Sequence, residues 1–390
     1  MVRRLQIINI EVTVVSIPFR EPETWIWGRR HGITNALVQV RTDEGVTGVG
    51  ECPGHPNVAL VVGILDTVRS VLVGEDPLRI ERILQLLLAR RGLHHFRHAA
   101  NVVLGGIETA LWDIVGKVAG QPIANLLGGR VRERIPYYRY IPMGPSETMA
   151  VEAAEGVAVG FETIYLKTGF ERRKDVEDVA AVREAIGPDI NLRIDANEAW
   201  TPAEAIAIAR ELEPFRLEFI EQPVSMYDLD GLARVRRSVR TPIAANQAAW
   251  LEFDVLEIVR QRAADIILTC PHQLHGLLAF KKVAALCEIA GLPIVKHSFG
   301  DLGVTTHAAA QVLATCPNAT LANQTHYNLL EDDVIVGGPP AFVDGGLELP
   351  DIPGIGVGLD PEKVALYEEA YLREGEYSVY GSVPSGTRSV

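Results

Sequence analysis

Hydrophobic and polar positions along this chain change rhythm twice. Over residues 6–17 they alternate, and the same two-residue period returns at 36–41 and 46–50, so three strands are expected. The last two are joined by a turn, Thr42-Asp43-Glu44-Gly45. Residues 58–73, 77–91 and 99–119 carry helical spacing, and Gly74, Gly92 and Gly120 end them. From 135 onward short apolar runs alternate with amphipathic ones. The strand-like pieces fall at 135–141, 163–167, 192–195, 218–221, 243–245, 266–268, 294–296 and 320–322. Eight strands separated by helices predict a parallel α/β barrel. The chain then divides into an α+β unit at 1–130, a barrel at 131–349, and a segment at 350–390. The last, rich in Gly and Pro before a helix near 361–372, is expected to return to the first unit.

One stretch breaks the pattern. Residues 18–34 read as a loop, long for a hairpin connection, that carries Trp25, Trp27, Arg29, Arg30 and His31. Long loops tend to be functional, and two Trp beside three basic groups suggest a lid.

Composition narrows the partner. Of 390 residues 47% are hydrophobic, enough for a sizeable core. A net charge of −13 argues against nucleic acid or anionic membrane as partner. No run approaches the ~18 apolar residues of a membrane span. The opening MVRRLQIINIEVTVV alternates where a signal peptide would run apolar. The four cysteines are scattered, as suits a reducing cytosol. A cytoplasmic protein with a small-molecule partner is expected.

Polar residues recur at the C-terminal ends of the barrel strands. Lys167, Asp195, Glu221, Asn246, Cys270, His297 and Gln324 are spaced 24 to 28 residues apart, one strand–helix unit per step. All seven therefore converge on one barrel mouth, where such folds keep their chemistry. Asp195, Glu221 and the amide oxygen of Asn246 form an oxygen-rich set suited to Mg2+, which binds through one or two carboxylates and keeps other oxygens in its shell. Lys167 and His297 flank that set as groups able to exchange protons with a substrate. A divalent cation between them would stabilise the charge that appears when a proton leaves carbon next to a carboxylate. The constellation points to carbanion chemistry on a carboxylic acid.

These residues resemble the enolase superfamily over nearly the whole chain. GGIETALWDIVGKVAGQPIANLLGG (105–129) is similar to the helix and loop that join capping domain to barrel in its mandelate racemase and muconate-lactonising branches. RIDANEAW and EFIEQPV resemble the strand-3 and strand-4 metal segments, and PGIGVGLD (353–360) the shared tail. CPHQL (270–274), HSFGDLGVTTHAAA (297–310) and LANQTH (321–326) are nearer the glucarate dehydratase branch. The resemblance implies a (β/α)7β-type TIM barrel with an N-terminal α+β capping domain completed by the C-terminal segment. It also implies one Mg2+ (Mn2+ as a substitute), a homo-oligomer, Lys167 as base and His297 as acid/base. Asp195 and Glu221 become metal ligands. The third is Asn246, four residues after Pro242, or Gln247, five after it. Tyr165, Asn197, Gln324, Trp25, Arg29 and His31 are the implied substrate contacts, with loops near 18–34 and 52–57 closing over them.

Three departures from the family pattern shape the expected reaction. Tyr165 stands where the strand-2 motif has a second lysine, Cys270 where an aspartate orients the histidine, and Gln324 where an acidic residue is common. A neutral third metal ligand leaves the site more positive, favouring a polyanionic or oxygen-rich acid. A thiol cannot raise imidazole basicity as a carboxylate does, so His297 is expected to serve mainly as an acid. The expectation is a Mg2+-dependent sugar-acid dehydratase. Alternatives are a racemase, epimerase or lactone cycloisomerase, or a degenerate barrel that binds without catalysis.

Overall fold

The computed structural model describes residues 4–380. Strand β1 (Ile7–Trp25) pairs antiparallel with β2 (Gly28–Thr42), and β2 with β3 (Thr47–Pro53). The stretch 18–34 is therefore not a loop but the outer half of a long hairpin, with Ile26 and Trp27 at its tip. Its pairing is irregular between Pro18 and Glu23, then resumes with Glu23 opposite Arg30 and Thr24 opposite Arg29.

Helices α1 (Val58–Leu72), α2 (Ile80–Arg90), α3 (Arg97–Ala119) and the short α4 (Ile123–Leu126) follow. Most of α3 is buried. It lies directly on β3 because two strand residues have no side chain. A Cβ on Gly50 would sit 2.0 Å from Gly106 O, and one on Gly48 would sit 2.0 Å from Ala110 O.

The barrel runs β4 (Arg134–Pro136), β5 (Arg139–Ile141), α5 (Ser146–Ala158), β6 (Thr163–Lys167), α6 (Arg172–Ile186), β7 (Asn191–Asp195) and α7 (Pro202–Leu212). It continues through β8 (Phe219–Glu221), α8 (Leu229–Ser238), β9 (Ile243–Ala245), α9 (Glu252–Gln261), β10 (Ile266–Thr269), α10 (Leu277–Ile289), β11 (Ile294–Lys296) and α11 (Gly303–Leu313). Strands β5 to β11 form one parallel sheet in chain order. Thr201 caps α7 in a capping box with Glu204, and Pro202 follows at the first helical turn.

The expected strand at 320–322 is absent. The wall closes instead through one bridge between Asn323 and Tyr137. Asn323 N donates to Pro136 O at 2.8 Å and Gln324 N to Lys296 O at 3.0 Å. The Asn323 side chain takes the place of further ladder bonds, accepting from Lys296 N at 2.8 Å and donating to Pro136 O at 3.1 Å. Backbone groups are satisfied there without extended pairing.

Two buried carboxylates tie the α+β unit to the barrel. Glu51 accepts from Leu302 N and Thr305 N, at 2.8 and 2.9 Å, at the start of α11. Glu108 accepts from Leu277 N and Leu278 N, at 2.7 and 3.1 Å, at the start of α10. Each supplies acceptors to helix-terminal N–H groups that otherwise lack partners. Strand β12 (Gly346–Glu348) pairs with β4 within the barrel, whereas α12 (Pro361–Glu374) packs against β1, which brings the C-terminal segment back to the first unit. Residues 381–390 of that segment lie outside the described residues. Among the described residues no helix is long and apolar enough to cross a membrane.

Replacing Gly50 by Ala is expected to cost about 1–3 kcal/mol or more, because α3 must lift off β3. Gly63, inside α1 with nothing within 4 Å of its added Cβ, should instead gain ~0.5–1 kcal/mol as Ala. Urea denaturation of the two variants checks both signs.

Candidate active site

Parallel register builds the centre of the site. It sets Lys167 at the end of β6 beside Asp195 at the end of β7, and Asp195 beside Glu221 at the end of β8. Lys167 Nζ donates to Asp195 Oδ2 at 2.6 Å and to Asn197 Oδ1 at 2.8 Å. Tyr165, two residues earlier on the same face of β6, donates its hydroxyl to the same Oδ2 at 2.7 Å. Asn197 N donates to Asp195 Oδ1 at 2.7 Å, from a backbone at φ +43°. Both oxygens of Asp195 are thus engaged. Tyr165 does not face the cavity; it holds Asp195 from within the barrel, stacked on Tyr138 at 4.5 Å.

Glu221 is the opposite case. It is fully buried, and neither carboxylate oxygen has a hydrogen-bond partner. Burial, then repulsion from Asp195, pushes its carboxyl well above the usual range, with Lys167 opposing. A buried bare carboxylate is costly unless a cation meets it. Next to it Gln222 organises the following loop. Its Oε1 accepts from Asn246 N at 2.9 Å and Ala248 N at 3.1 Å. Asn246 spends its amide nitrogen on Leu268 O at 3.4 Å, which fixes the flip of that amide. Gln247 also lines the cavity, with a buried and unpartnered Oε1. The donor set of Asp195, Glu221 and an amide oxygen suits a hard divalent cation such as Mg2+. Either Asn246 or Gln247 fits as its third protein ligand.

The cavity and its mouth enclose about 610 Å³. Of the seven spaced residues Lys167, Asn246, His297 and Gln324 line it, and Asn197, two residues past Asp195, lines it too. His297 follows β11 and is half-buried, with its Nδ1 enclosed and without a partner. Burial, then the Lys167 charge, holds its imidazole well below the ordinary histidine range. Cys270 does not reach the cavity, and its thiol is pushed up to about 12 by burial, so it stays protonated. Gln324 accepts from Ser298 N at 3.0 Å through Oε1, which leaves its amide N–H groups to the cavity.

The hairpin forms the roof. Trp27 Nε1 donates to Asn197 O at 3.0 Å and pins the tip over the strand ends. Trp25 lines the cavity as expected, but Arg29 and His31 point to solvent, and Arg30 and Glu23 point inward in their place. The correction follows from strand geometry. Side chains alternate along β2, so Arg30, opposite Glu23, faces in while its two neighbours face out. His55, from the expected 52–57 closing region, stacks on Phe299 at 4.7 Å. Three further lining residues, Tyr140, Gln273 and Tyr380, carried no signal in the barrel-strand spacing.

Replacing Glu221 by Gln removes the uncompensated charge and the anionic ligand together. The variant is expected to melt higher than the parent in EDTA and to lose the Mg2+-dependent rise in Tm. Thermal melts with and without Mg2+ check both halves.

Comparison with known proteins gives this geometry a family. Residues 8–128 match the mandelate racemase / muconate lactonizing enzyme N-terminal domain, and 148–364 match the enolase C-terminal domain-like model. A D-galactarolactone cycloisomerase of Agrobacterium fabrum is 33% identical over 84% of this chain and 89% of its own. An arabinonate dehydratase of Saccharolobus solfataricus is 30% identical over 84% and 88%. A solved enolase of Thermobispora bispora, complexed with magnesium and formate, superposes with a TM-score of 0.88 at 30% identity, covering 96% of this chain and 94% of that one. With both its α+β unit and its barrel matched, the chain belongs to the enolase superfamily, in the mandelate racemase and muconate-lactonizing group of enzymes.

Proposed function

We propose that this protein is a Mg2+-dependent dehydratase acting on a sugar acid. A divalent cation held by Asp195, Glu221 and Asn246 would draw off the negative charge that develops on the substrate carboxylate as the α-proton leaves. Lys167 takes that proton, its Nζ being oriented by Asp195 and Asn197. His297, on the other flank of the metal strands, takes up a proton with the anionic substrate and as imidazolium delivers it to the departing β-hydroxyl, which leaves as water. The product is a 2-keto-3-deoxy acid.

The observation that carries this reading is the unpartnered Nδ1 of His297. A carboxylate at that nitrogen would raise imidazole basicity, and here none does. Two-base epimerisation needs a competent second base, whereas elimination needs one base and one proton donor. The amides of Asn197, Gln273 and Gln324 and the hydroxyl of Ser298 supply hydrogen bonds to a polyhydroxylated chain. The similarity to an arabinonate dehydratase supports the same class.

One observation favours a second reading, an epimerase or lactone cycloisomerase. The resting imidazole of His297 is neutral and so already able to accept a proton. Single-site variants separate the two. In D2O with Mg2+ and a panel of sugar acids, Lys167→Ala is expected to lose both C2 exchange and keto-acid formation by ~10³-fold. His297→Asn should keep C2 exchange and lose keto-acid formation. If each variant instead abolishes exchange for one epimer alone, the enzyme is an isomerase. No keto acid from any sugar acid with the parent protein contradicts the dehydratase reading.

A further inference from the structure

The far wall of the cavity holds a charge arrangement that the proposed chemistry does not use. Glu23 of β1 and Arg30 of β2 are cross-strand partners, 3% and 6% exposed, and both line the cavity. Glu23 Oε2 accepts from Arg30 Nε, and Oε1 accepts from the Tyr140 hydroxyl. His326 Nε2 lies 3.8 Å from the same Oε1, and Arg30 also donates to Phe299 O at 3.1 Å. The guanidinium is therefore neutralised in place. Its partner is a fully ionised carboxylate, held near 2 although burial opposes this, by Arg30 first among the stabilising groups.

Among the described lining residues, the other Lys or Arg side chain is Lys167, already bonded to Asp195 and Asn197. The three lining histidines are held neutral by burial: His55 at about 4, His326 at about 3, and His297 well below its ordinary value. One end of the cavity thus offers positive charge, from Lys167 and from any cation on Asp195 and Glu221. The other end offers a paired guanidinium and a carboxylate whose lone pairs suit a hydroxyl donor.

We infer that the substrate carries a single carboxylate and an uncharged hydroxylated tail, and that Glu23 is the residue that enforces this choice. The inference rests on the proposed sugar-acid chemistry and narrows it to monoacids. A second carboxylate at the far end would meet Glu23 as a like charge with no free cation to offset it, a built-in penalty against the wrong ligand. A hydroxyl there donates to Glu23 without penalty. The more positive metal end thus selects an oxygen-rich acid but not a polyanionic one.

The test measures the Mg2+-loaded full chain by calorimetry against matched five- and six-carbon aldonates and aldarates, and follows C2 exchange in D2O. Aldonates are expected to bind at least ~10-fold more tightly than the matching aldarates. Glu23→Gln, which frees the Arg30 charge, should shift that ratio ~10-fold or more toward aldarates. The double variant Glu23→Gln/Arg30→Gln, with neither the repelling carboxylate nor the freed guanidinium, should give a ratio between those of the parent and of Glu23→Gln. Equal or tighter aldarate binding by the parent protein, or a ratio unmoved in Glu23→Gln, overturns the inference. Aldonate-selective binding without C2 exchange would support the single-carboxylate selection while contradicting the proposed reaction.

Discussion

The site depends on the parallel register of β6, β7 and β8, which sets Lys167, Asp195 and Glu221 side by side. A slip of one residue in any of the three would turn its functional side chain to the other face of the sheet. Within that register the two carboxylates are unequal. Asp195 is saturated by Lys167, Tyr165 and the Asn197 amide, while Glu221 has no partner at all. A buried bare carboxylate costs several kcal/mol in general, so burial and Asp195 disfavour the ionised form of Glu221 unless a cation meets it. The same imbalance is what the proposed cation would relieve, and the Asp195 and Asn197 bonds hold Lys167 Nζ beside that place.

The α+β unit turns this open barrel mouth into a closed cavity. Glu51 and Glu108 seat it on the starts of α11 and α10, so its position is set by hydrogen bonds from helix-end N–H groups to buried carboxyl groups as well as by apolar packing. From that base the hairpin reaches across and is tied down by Trp27 on Asn197 O. The roof residues Glu23, Trp25 and Arg30 therefore sit at fixed positions opposite the strand ends. In the proposed reading the chemistry comes from the barrel and the choice of substrate from the hairpin.

The barrel was legible because its strands are buried on both faces. Short apolar runs at 163–167, 243–245 and 294–296 coincide with β6, β9 and β11, and the 24-to-28-residue spacing of their terminal polar residues located the mouth. The hairpin was not legible for the converse reason. Between 18 and 34 its inner face lines a polar cavity, so Glu23 and Arg30 replace the apolar residues whose alternation marks a strand. Read as a loop, the segment gave no phase, and Arg29 and His31 stood as plausibly inward as Arg30. The closing segment at 320–322 failed differently, since side-chain bonds from Asn323 do the work of a ladder that the apolar pattern leads one to expect. Cys270 kept its spacing but not its reach, because spacing fixes where a strand ends and not whether a short side chain extends to the cavity.

Anomalous scattering from crystals soaked in Mn2+ tests the central claim most directly. One peak is expected among the carboxylates of Asp195 and Glu221 and the amide oxygen of Asn246, with Lys167 Nζ on one flank and the His297 ring on the other. Full Mn2+ occupancy elsewhere in the protein, with Glu221 still without a partner, would contradict the account of the site.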